Sequence, residues 1–257
     1  MRIRLTHLFL TLLLLVAALP ASGQGKMYTR KMRLADFPTK TTKIVLEGNS
    51  FLELALREEI AVHWRISPYE FCDMEEYGRI RSSSSYYFLT LAQEEGLAYL
   101  ILEKGGKPDE KDQLMKPFEV VRMPIASVDS PTGRELVFMG AFLDIIQRFT
   151  EEAMVSDKVA YAGLESANRI HLRGRTVYLD PDAGDEAYLR EEPGALLSIT
   201  IAPDEPGPKT VCYKILISAD TRELLSFERS RYKDPDDARF SDAEAKRFER
   251  RGATVIR

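Results

Sequence analysis

The residues that could do chemistry in this chain are few and widely separated. After residue 23 it carries two histidines, His63 and His171, and two cysteines, Cys72 and Cys212. A cysteine nucleophile needs a base beside it, so Cys72 with His171 is the pair that the composition offers. Zinc needs clustered ligands, and these four residues do not form a zinc signature. We therefore predict no catalytic residue and no metal ligand, and we expect both histidines to be surface or helix-capping residues.

An acidic run at residues 180–186, DPDAGDE, is similar to the start of a calcium-binding loop. It departs from the EF-hand pattern at its fifth position, Gly184, and its sixth, Asp185. The twelfth position, Glu191, has no supporting helix pair. The alternative is a turn followed by charges at the N-terminus of a helix, and the sequence favours that alternative.

A nucleotide site would need a glycine-rich turn between a strand and a helix. The first such turn here is residues 47–50, EGNS, with one glycine and no GKS or GKT element. Several glycines let a backbone approach a pyrophosphate, and Glu47 would repel phosphate. We predict that no nucleotide and no other cofactor is bound.

The elements that position these residues begin with strand, helix, strand, helix, strand between residues 43 and 92. Ser50 and Glu53 form a capping box, and Leu56 lies at the centre of the apolar face of a helix over residues 50–63. Asp73 starts a second, short helix with Met74 expected on its inner face, after a strand at residues 69–72. Two strand–helix–strand units in succession favour a mostly parallel sheet.

This order of elements resembles the N-terminal domain of TolB and the related domain of curli-secretion lipoproteins. In those domains a helix leads into a short strand, a small helix and a β-hairpin. The resemblance implies an α/β fold for the first half of the chain. It rests on element order, so it carries over no functional residue.

The rest of the first half is predicted from its hydrophobic pattern. A hairpin joins strands at residues 86–92 and 97–103, helical turns are expected at 109–115, and a fifth strand at 117–123. A single long helix is expected over residues 134–161, with a broad apolar face that includes Leu136. In that helix Gly140 would allow another backbone to approach closely. Residues 25–42 are polar and basic, which predicts a short exposed arm or, alternatively, a docking arm for an acidic partner.

The second half is predicted to be rich in antiparallel strands. Strands are expected at residues 169–172, 175–180, 195–202, 210–218 and 223–232, with a short helix at 184–192. A final helix begins at Ser241, where Glu244 completes a capping box. The fold class is therefore α/β (α+β overall), with an N-terminal mixed sheet, βαβ units and a long helix, and a C-terminal antiparallel meander with a final helix. The predicted domains are residues 24–163 and 164–257.

The hairpin ISADTRELLSFE resembles the tight turn of small exported modules such as PepSY-type domains, with Arg222 where those turns have Gly. The wider pattern resembles uncharacterised secreted bacterial proteins of no assigned activity. That resemblance implies export and implies no chemistry.

Residues 1–23 predict a signal peptide. Arg2 and Arg4 precede an apolar core at residues 8–18, and residues 21–23, ASG, fit a signal peptidase site, so the mature chain is expected to start at Gln24. An uncleaved anchor is the alternative. The predicted location is the periplasm or the exterior, with no membrane span after cleavage. The net charge of −4 and the pI of about 5.6 disfavour a nucleic-acid partner.

These observations favour a non-catalytic binding or interaction module whose partner is a protein or another component of the cell envelope. Residues 82–87 and 129–133 are the candidate surfaces, expected to be exposed loops that bear aromatic side chains. The alternatives are an exported hydrolase whose site is assembled from dispersed carboxylates, and a structural subunit of the envelope.

Two readings of the cysteines stay open at the sequence level. Export to an oxidising compartment favours a Cys72–Cys212 bridge. The alternative is two buried free thiols that act as small hydrophobic residues.

Overall fold

A computed structural model describes residues 29–48, 50–106, 118–169 and 171–257. The predicted signal peptide, the predicted start at Gln24 and the helical turns expected at residues 109–115 lie outside these ranges. Within them, no helix is both long enough and apolar enough to cross a membrane.

The described ranges contain eight α-helices and ten strands. The helices are α1 (Arg30–Leu34), α2 (Phe51–His63), α3 (Met74–Ile80), α4 (Arg134–Val137), α5 (Met139–Val155), α6 (Asp157–Ala162), α7 (Pro181–Leu189) and α8 (Asp242–Arg250). The strands are β1 (Thr41–Val45), β2 (Tyr69–Cys72), β3 (Tyr86–Glu94), β4 (Leu97–Lys104), β5 (Phe118–Ser127), β6 (Thr176–Tyr178), β7 (Ala195–Ile201), β8 (Val211–Ser218), β9 (Leu224–Arg231) and β10 (Thr254–Ile256).

The strands form two five-stranded mixed sheets, which confirms the α/β class. The first sheet has the order β2-β1-β3-β4-β5 and the second has the order β10-β6-β7-β8-β9. In each sheet the first two pairings are parallel and the last two are antiparallel. The two sheets therefore share one spatial pattern, although the edge strand β2 comes second along its half and β10 comes last.

Helix α2 forms where its capping box predicts. The Ser50 hydroxyl accepts a hydrogen bond from the Glu53 backbone N–H, and the Glu53 carboxylate accepts from the Ser50 backbone N–H. These bonds satisfy donors that a helix start leaves without intrahelical partners. Leu56 and Ile60 are fully buried on the inner face. The predicted helix and its register are confirmed.

Helix α3 corrects one expectation about the same region. Asp73 caps it, but Met74 is 44% exposed, while Tyr77 and Ile80 pack against Phe88. Met74 is the first helical residue, so it lies beyond the end of the edge strand β2, where the sheet offers nothing to cover it.

The prediction of one helix over residues 134–161 is wrong, because the segment is three helices. Ser156 is extended and its hydroxyl accepts from the Val159 N–H, which starts α6. Phe138 separates α4 from α5 and buries its ring edge-on against Tyr188, with ring centroids 4.8 Å apart. Leu136, expected in the apolar face, is partly exposed on α4.

Helix α5 is buried on most of its circumference and joins the two halves. Eleven of its seventeen residues are buried. Its charged residues Asp144, Arg148, Glu151 and Glu152 occupy the less buried positions, and its broad apolar face packs into the core. One continuous core contains side chains of α5, of β3 to β5 and of β7 to β9. The proposed boundary at residue 163 stays a prediction, and the core is continuous across it.

The exposed arm expected before β1 is folded from Thr29 onward. Leu34 and Phe37 are fully buried, and the Phe37 ring meets Tyr87 edge-on at 4.5 Å. The Lys104 ammonium donates to Asp36 at 2.8 Å. These buried apolar contacts hold the segment on the first sheet.

The second half contains the predicted meander and final helix, but it is not purely antiparallel. Strands β6 and β10 are parallel neighbours, and β10 was not foreseen because its three residues are too few for a periodic pattern. The strand expected at residues 169–172 is absent from the described residues there, since Leu172 N–H donates to the irregular Arg251 carbonyl instead of to a ladder.

The predicted Cys72–Cys212 bridge is wrong, and the free-thiol alternative holds. Both cysteines are buried free thiols. Cys72 packs with Val45 and Phe88 beside the first sheet, whereas Cys212 Sγ lies 3.2 Å from Ser230 Oγ in the second sheet. The two thiols occupy separate sites, one in each sheet, so no bridge joins the two halves.

Candidate functional site

A cleft of about 540 Å³ opens between the two sheets. Its floor is formed by Tyr99 of β4, Tyr213 of β8 and Phe227 of β9, and its rim includes Arg122 and Arg229. We call it the inter-sheet cleft. Because strands of both sheets build it, the cleft exists only when the two halves are packed together.

The floor of the inter-sheet cleft is an aromatic surface with two hydroxyl groups. The Tyr99 and Tyr213 hydroxyls lie 3.5 Å apart, and their rings meet edge-on at 6.2 Å. Phe227 lies 5.5 Å from the Tyr213 ring. Burial, with a smaller contribution from the Tyr213 hydroxyl, raises the pKa of Tyr99. The floor is therefore apolar over most of its area and can make hydrogen bonds at the two hydroxyls.

Arg122 fixes a positive charge above this floor. It donates to Glu94 at 2.6 Å and to Glu119 at 2.8 Å, and its guanidinium lies 5.1 Å from the centre of the Tyr99 ring. Burial alone would lower the pKa of Arg122, but the two carboxylates outweigh burial and raise it. Both carboxylates are thereby committed to one guanidinium, which leaves neither as a free acid or base for a substrate.

The rim of the cleft also carries charges that have no partner. Arg229, Glu95 and Glu165 line it, and their side chains make no hydrogen bond or ion pair with any residue in the described ranges. Charges of both signs are therefore available to a ligand around the floor.

A second cleft, of about 320 Å³, adjoins one of the predicted surfaces. Ser130 and Thr132 from residues 129–133 line it. Buried Glu135 accepts hydrogen bonds from the Thr132 hydroxyl at 2.9 Å and from the Gly133 N–H at 3.0 Å, and Ser130 donates to Asp204. The loop is exposed as predicted and well tied down, but it has no aromatic residue.

The other predicted surface, residues 82–87, does not present its aromatic side chains as expected. Tyr87 is fully buried, and its hydroxyl donates to Asp36 at 2.7 Å. Tyr86 is only partly exposed. Since β3 begins at Tyr86, the alternation of the strand directs Tyr87 into the core.

His63 is not the surface residue expected from the sequence, because it is only 9% exposed. Its Nε2 lies 3.1 Å from Glu59 Oε2 and its Nδ1 lies 3.2 Å from Asp144 Oδ1. Arg222, at the β8–β9 turn, lies 3.4 Å from Asp144 Oδ2. A β-carbon at Gly140 would lie 2.7 Å from both Glu59 and His63, so glycine is what allows α5 to approach α2 here.

This histidine cluster connects α2, α5 and the β8–β9 turn, and it does not resemble a catalytic site. Both ring nitrogens of His63 face carboxylates, so neither is free to take a proton from a nucleophile. Among the described residues, no hydroxyl or thiol hydrogen-bonds to the ring. The cluster joins α2 and α5 of the first half to the β8–β9 turn of the second.

The remaining predicted candidates are not brought together. Cys72 lies in the edge strand β2, and burial, followed by the negative charge of Glu76, raises the pKa of its thiol to about 11. His171 is exposed in the loop before β6. A thiol with that pKa is almost entirely protonated near neutral pH, so a Cys72–His171 nucleophile has no support.

The acidic run at residues 180–186 is the start of a helix. Asp180 caps α7, accepting from the N–H groups of Asp182 at 2.8 Å and Ala183 at 3.2 Å. Asp185 is engaged by Arg134 at 2.6 Å. This is the turn with N-terminal helix charges that the sequence favoured, and the described residues contain no group of three or more potential metal ligands.

Sequence reasoning missed the residues of the inter-sheet cleft. Tyr99, Arg122 and Tyr213 occupy ordinary strand positions, and their spacing along the chain is not informative. Arg122 gives a weak signal, because it is a charged residue within the otherwise apolar VVRMPIA of β5. A buried charge is costly without a partner, so a carboxylate is expected nearby.

Comparisons of the chain with protein-family models, with curated proteins and with solved structures found no match.

Proposed function

We propose that this protein is an exported binding module of the cell envelope that holds an extended segment of a partner protein in the inter-sheet cleft. The observation that carries the proposal is a buried aromatic floor together with rim charges of both signs that have no partner among the described residues. The volume of about 540 Å³ falls in the range of roughly 300–1,000 Å³ typical of ligand sites.

The chemistry of the cleft fits a polypeptide better than a small charged ligand. Tyrosine and arginine are enriched where protein interfaces derive most of their binding energy. Tyr99 and Tyr213 offer apolar area together with hydroxyl groups that can meet backbone amides. Arg229 and Glu165 both line the cleft, and each can pair with a side chain of opposite sign. A segment of a protein supplies both signs of charge, whereas a simple anion does not.

An exported hydrolase with a site of dispersed carboxylates is the alternative. Such a site needs one carboxyl group free to donate a proton and a second free to act as base or nucleophile. Glu94 and Glu119 are the paired carboxylates at the cleft, and Arg122 engages both. Turnover of an ester, glycoside or peptide substrate that is abolished by Glu119→Gln, with an unchanged melting temperature, would favour the hydrolase.

The binding proposal is tested by site-specific photo-cross-linking during export. A photoreactive amino acid replaces Arg229 or Glu165 at the rim, and Lys246 on the outer face of α8 serves as the control position. We expect both rim positions to cross-link to the same envelope protein, within one segment of its sequence, and the control position to give no such adduct. The proposal fails if the rim positions yield no adduct, or the same adducts as position 246.

Charge reversal then measures the contribution of the rim. A synthetic peptide of the cross-linked segment should bind the purified protein, and Arg229→Glu should weaken that binding by about tenfold, which corresponds to the loss of one charge-assisted contact. Lys246→Glu changes the net charge equally and should leave the affinity unchanged. Equal effects of the two substitutions would indicate a general charge effect and no site.

Export is part of the proposal and has its own measurement. N-terminal sequencing of the protein recovered outside the cytoplasm should begin at Gln24. An exported form beginning at Met1 would contradict the cleaved signal peptide.

A further inference from the structure

Three arginines converge on a small cleft beside the start of the second sheet. Arg169, Arg173 and Arg175 line it together with His171, and Glu223 is the carboxylate among its described lining residues. The cleft has a volume of about 290 Å³, and we call it the arginine cleft. The chain as a whole has a net charge of −4, so this positive excess is local.

Internal ion pairs use only part of this positive charge. Arg169 Nη2 lies 2.5 Å from Glu223 Oε1, whereas Arg175 Nη1 lies 4.0 Å from Asp220 Oδ1, at the limit of an ion pair. Arg173 makes no hydrogen bond, ion pair or aromatic contact with any residue that the structure describes. One guanidinium is therefore free and a second is only weakly engaged.

The backbone that carries these side chains is held in place before any ligand arrives. Leu172 N–H donates to the Arg251 carbonyl at 2.7 Å, and Arg175 N–H donates to the Leu172 carbonyl at 3.1 Å. Gly252 has a φ of +92°, and a β-carbon there would lie 3.1 Å from the Arg173 Cα. Glycine thus lets the turn after α8 pack directly against the backbone of Arg173. Because that backbone is already fixed, ligand binding has to order less of the chain and loses less conformational entropy.

We propose that the arginine cleft binds a phosphate monoester group. When their ion-pair partners are counted as well, the three arginines and Arg148, which lies 3.9 Å from Glu223, face the carboxylates of Glu223 and Asp220. The excess is two positive charges, and a phosphate monoester carries about 1.5 to 2 negative charges near pH 7. A carboxylate ligand would leave one positive charge uncompensated. The planar guanidinium fork donates two parallel hydrogen bonds to phosphate oxygens, a geometry that lysine does not supply. This site lies in the second half and does not depend on the inter-sheet cleft.

Titration calorimetry of the full exported chain with inorganic phosphate tests the proposal. We expect one site per chain, with acetate binding at least tenfold more weakly and with affinity falling as the salt concentration rises. Arg173→Gln should raise the dissociation constant by about tenfold, and Arg175→Gln should raise it similarly, since each removes a charge-assisted hydrogen bond.

Arg231→Gln is the matched control. Arg231 is an exposed arginine at the far end of β9 whose side chain has no hydrogen bond or ion pair among the described residues. Eight residues of extended strand place it about 26 Å from Glu223. The affinity of the Arg231→Gln variant for phosphate should equal that of the wild type. Melting temperatures without phosphate show whether each variant is folded, and two independent arginine variants keep the test decisive if one misfolds.

Vesicle sedimentation separates the two sources of such a group. Binding to phosphatidate-containing vesicles but not to pure phosphatidylcholine, lost in Arg173→Gln, would place the phosphate on a lipid headgroup. Binding of phosphate or glycerol 3-phosphate without binding to vesicles would place it on a soluble molecule. The proposal is overturned if phosphate does not bind at millimolar concentration, if acetate binds equally well, or if the arginine variants bind like the wild type.

Discussion

The ion pair between Lys214 and Glu244 provides a sharp test of how the second half is held together. Lys214 lies in the interior strand β8 and Glu244 in the first turn of α8, and their side chains are 10% and 17% exposed. Glu244 accepts two hydrogen bonds from Lys214 at 3.0 Å, and it also accepts from the Ser241 backbone at 2.7 Å. One carboxylate therefore caps the helix and compensates a buried cation.

The expected effect of Glu244→Ala follows from these two roles. Loss of the helix cap lowers the free energy of unfolding by about 1 kcal/mol. Removing one partner of a fully buried ion pair lowers the free energy of unfolding by about 3–5 kcal/mol. Because Lys214 retains some access to water, we expect the loss of its partner to cost about 2 kcal/mol. The sum of about 3 kcal/mol corresponds to a fall in melting temperature of roughly 6–12 °C for a chain of this size.

A double-mutant cycle separates the two contributions. Lys214→Met removes the buried charge and leaves an apolar side chain above Phe240, whose ring centre lies 5.5 Å from the Lys214 ammonium. In that background Glu244→Ala should lower stability by only about 1 kcal/mol, a coupling of about 2 kcal/mol. Asp242→Ala removes an exposed ion pair to Arg257 and should change stability by less than about 0.5 kcal/mol.

Urea unfolding of the four proteins of the cycle measures the coupling. If Glu244→Ala has the same effect with and without Lys214, the ion pair contributes nothing and the reasoning is refuted. The pH dependence gives a second check. Burial raises the pKa of Glu244, but hydrogen bonds from Ser241 and Lys214 outweigh it and hold the pKa below its ordinary value of 4.5. The stabilisation is therefore present above about pH 4.5 and is lost as the pH falls through the lowered pKa, so the stability of Glu244→Ala should fall less steeply with acid.

Three further predictions concern the first half and the thiols. Leu56→Asp places a carboxylate without a partner at the fully buried face of α2 and should lower the free energy of unfolding by several kcal/mol, and an unchanged melting temperature would show that the face is not buried. Gly140→Ala should lower the free energy of unfolding by about 1–3 kcal/mol because its β-carbon would lie 2.7 Å from Glu59 and His63. At Gly78 a β-carbon would meet no described atom within 4 Å apart from its chain neighbours and its own helix backbone, so Gly78→Ala should stabilise α3 by about 0.5–1 kcal/mol. Thermal melts should show shifts of opposite sign. Cys72 and Cys212 should resist alkylation in the native protein, and both should react once the protein is unfolded without reductant. The intact mass of the alkylated protein reports this. A mass with no added alkyl groups after unfolding would show that the two cysteines are bridged.

Local sequence signals predicted the elements well, because their causes lie within a few residues. The capping boxes at Ser50 and Ser241, and the alternation of β7 to β9, act over one turn or one strand pair. The break at Ser156 was missed because the apolar pattern continues across it, and what ends α5 is the extended backbone of Ser156 and the cap that it gives to α6. The exposed-arm prediction failed in the same way, since Leu34 and Phe37 are isolated apolar residues in a polar segment.

The candidate sites depend on contacts that no local pattern encodes. Tyr99 and Tyr213 are more than a hundred residues apart, and only the packing of the two sheets brings them together. His63 looked like a helix-capping surface residue because Asp144, which buries one face of it, comes from another helix. The arginines at residues 169–175 are visible in the sequence, but which carboxylates lie near them, and that these are too few to balance the charge, is not.

The place of β10 in the second sheet has a consequence for how the chain folds. Val255 of β10 pairs with Val177 of β6, about 80 residues earlier in the chain. In the equivalent pair of the first sheet, Thr42 and Tyr69 are only about 30 residues apart. Closing the longer loop between β6 and β10 therefore costs roughly 0.9 kcal/mol more in chain entropy. Until β10 docks, β6 is an open edge with unpaired backbone groups that another chain can extend. The first sheet is expected to close before the second, and the interval between the two is when the chain is most prone to aggregate.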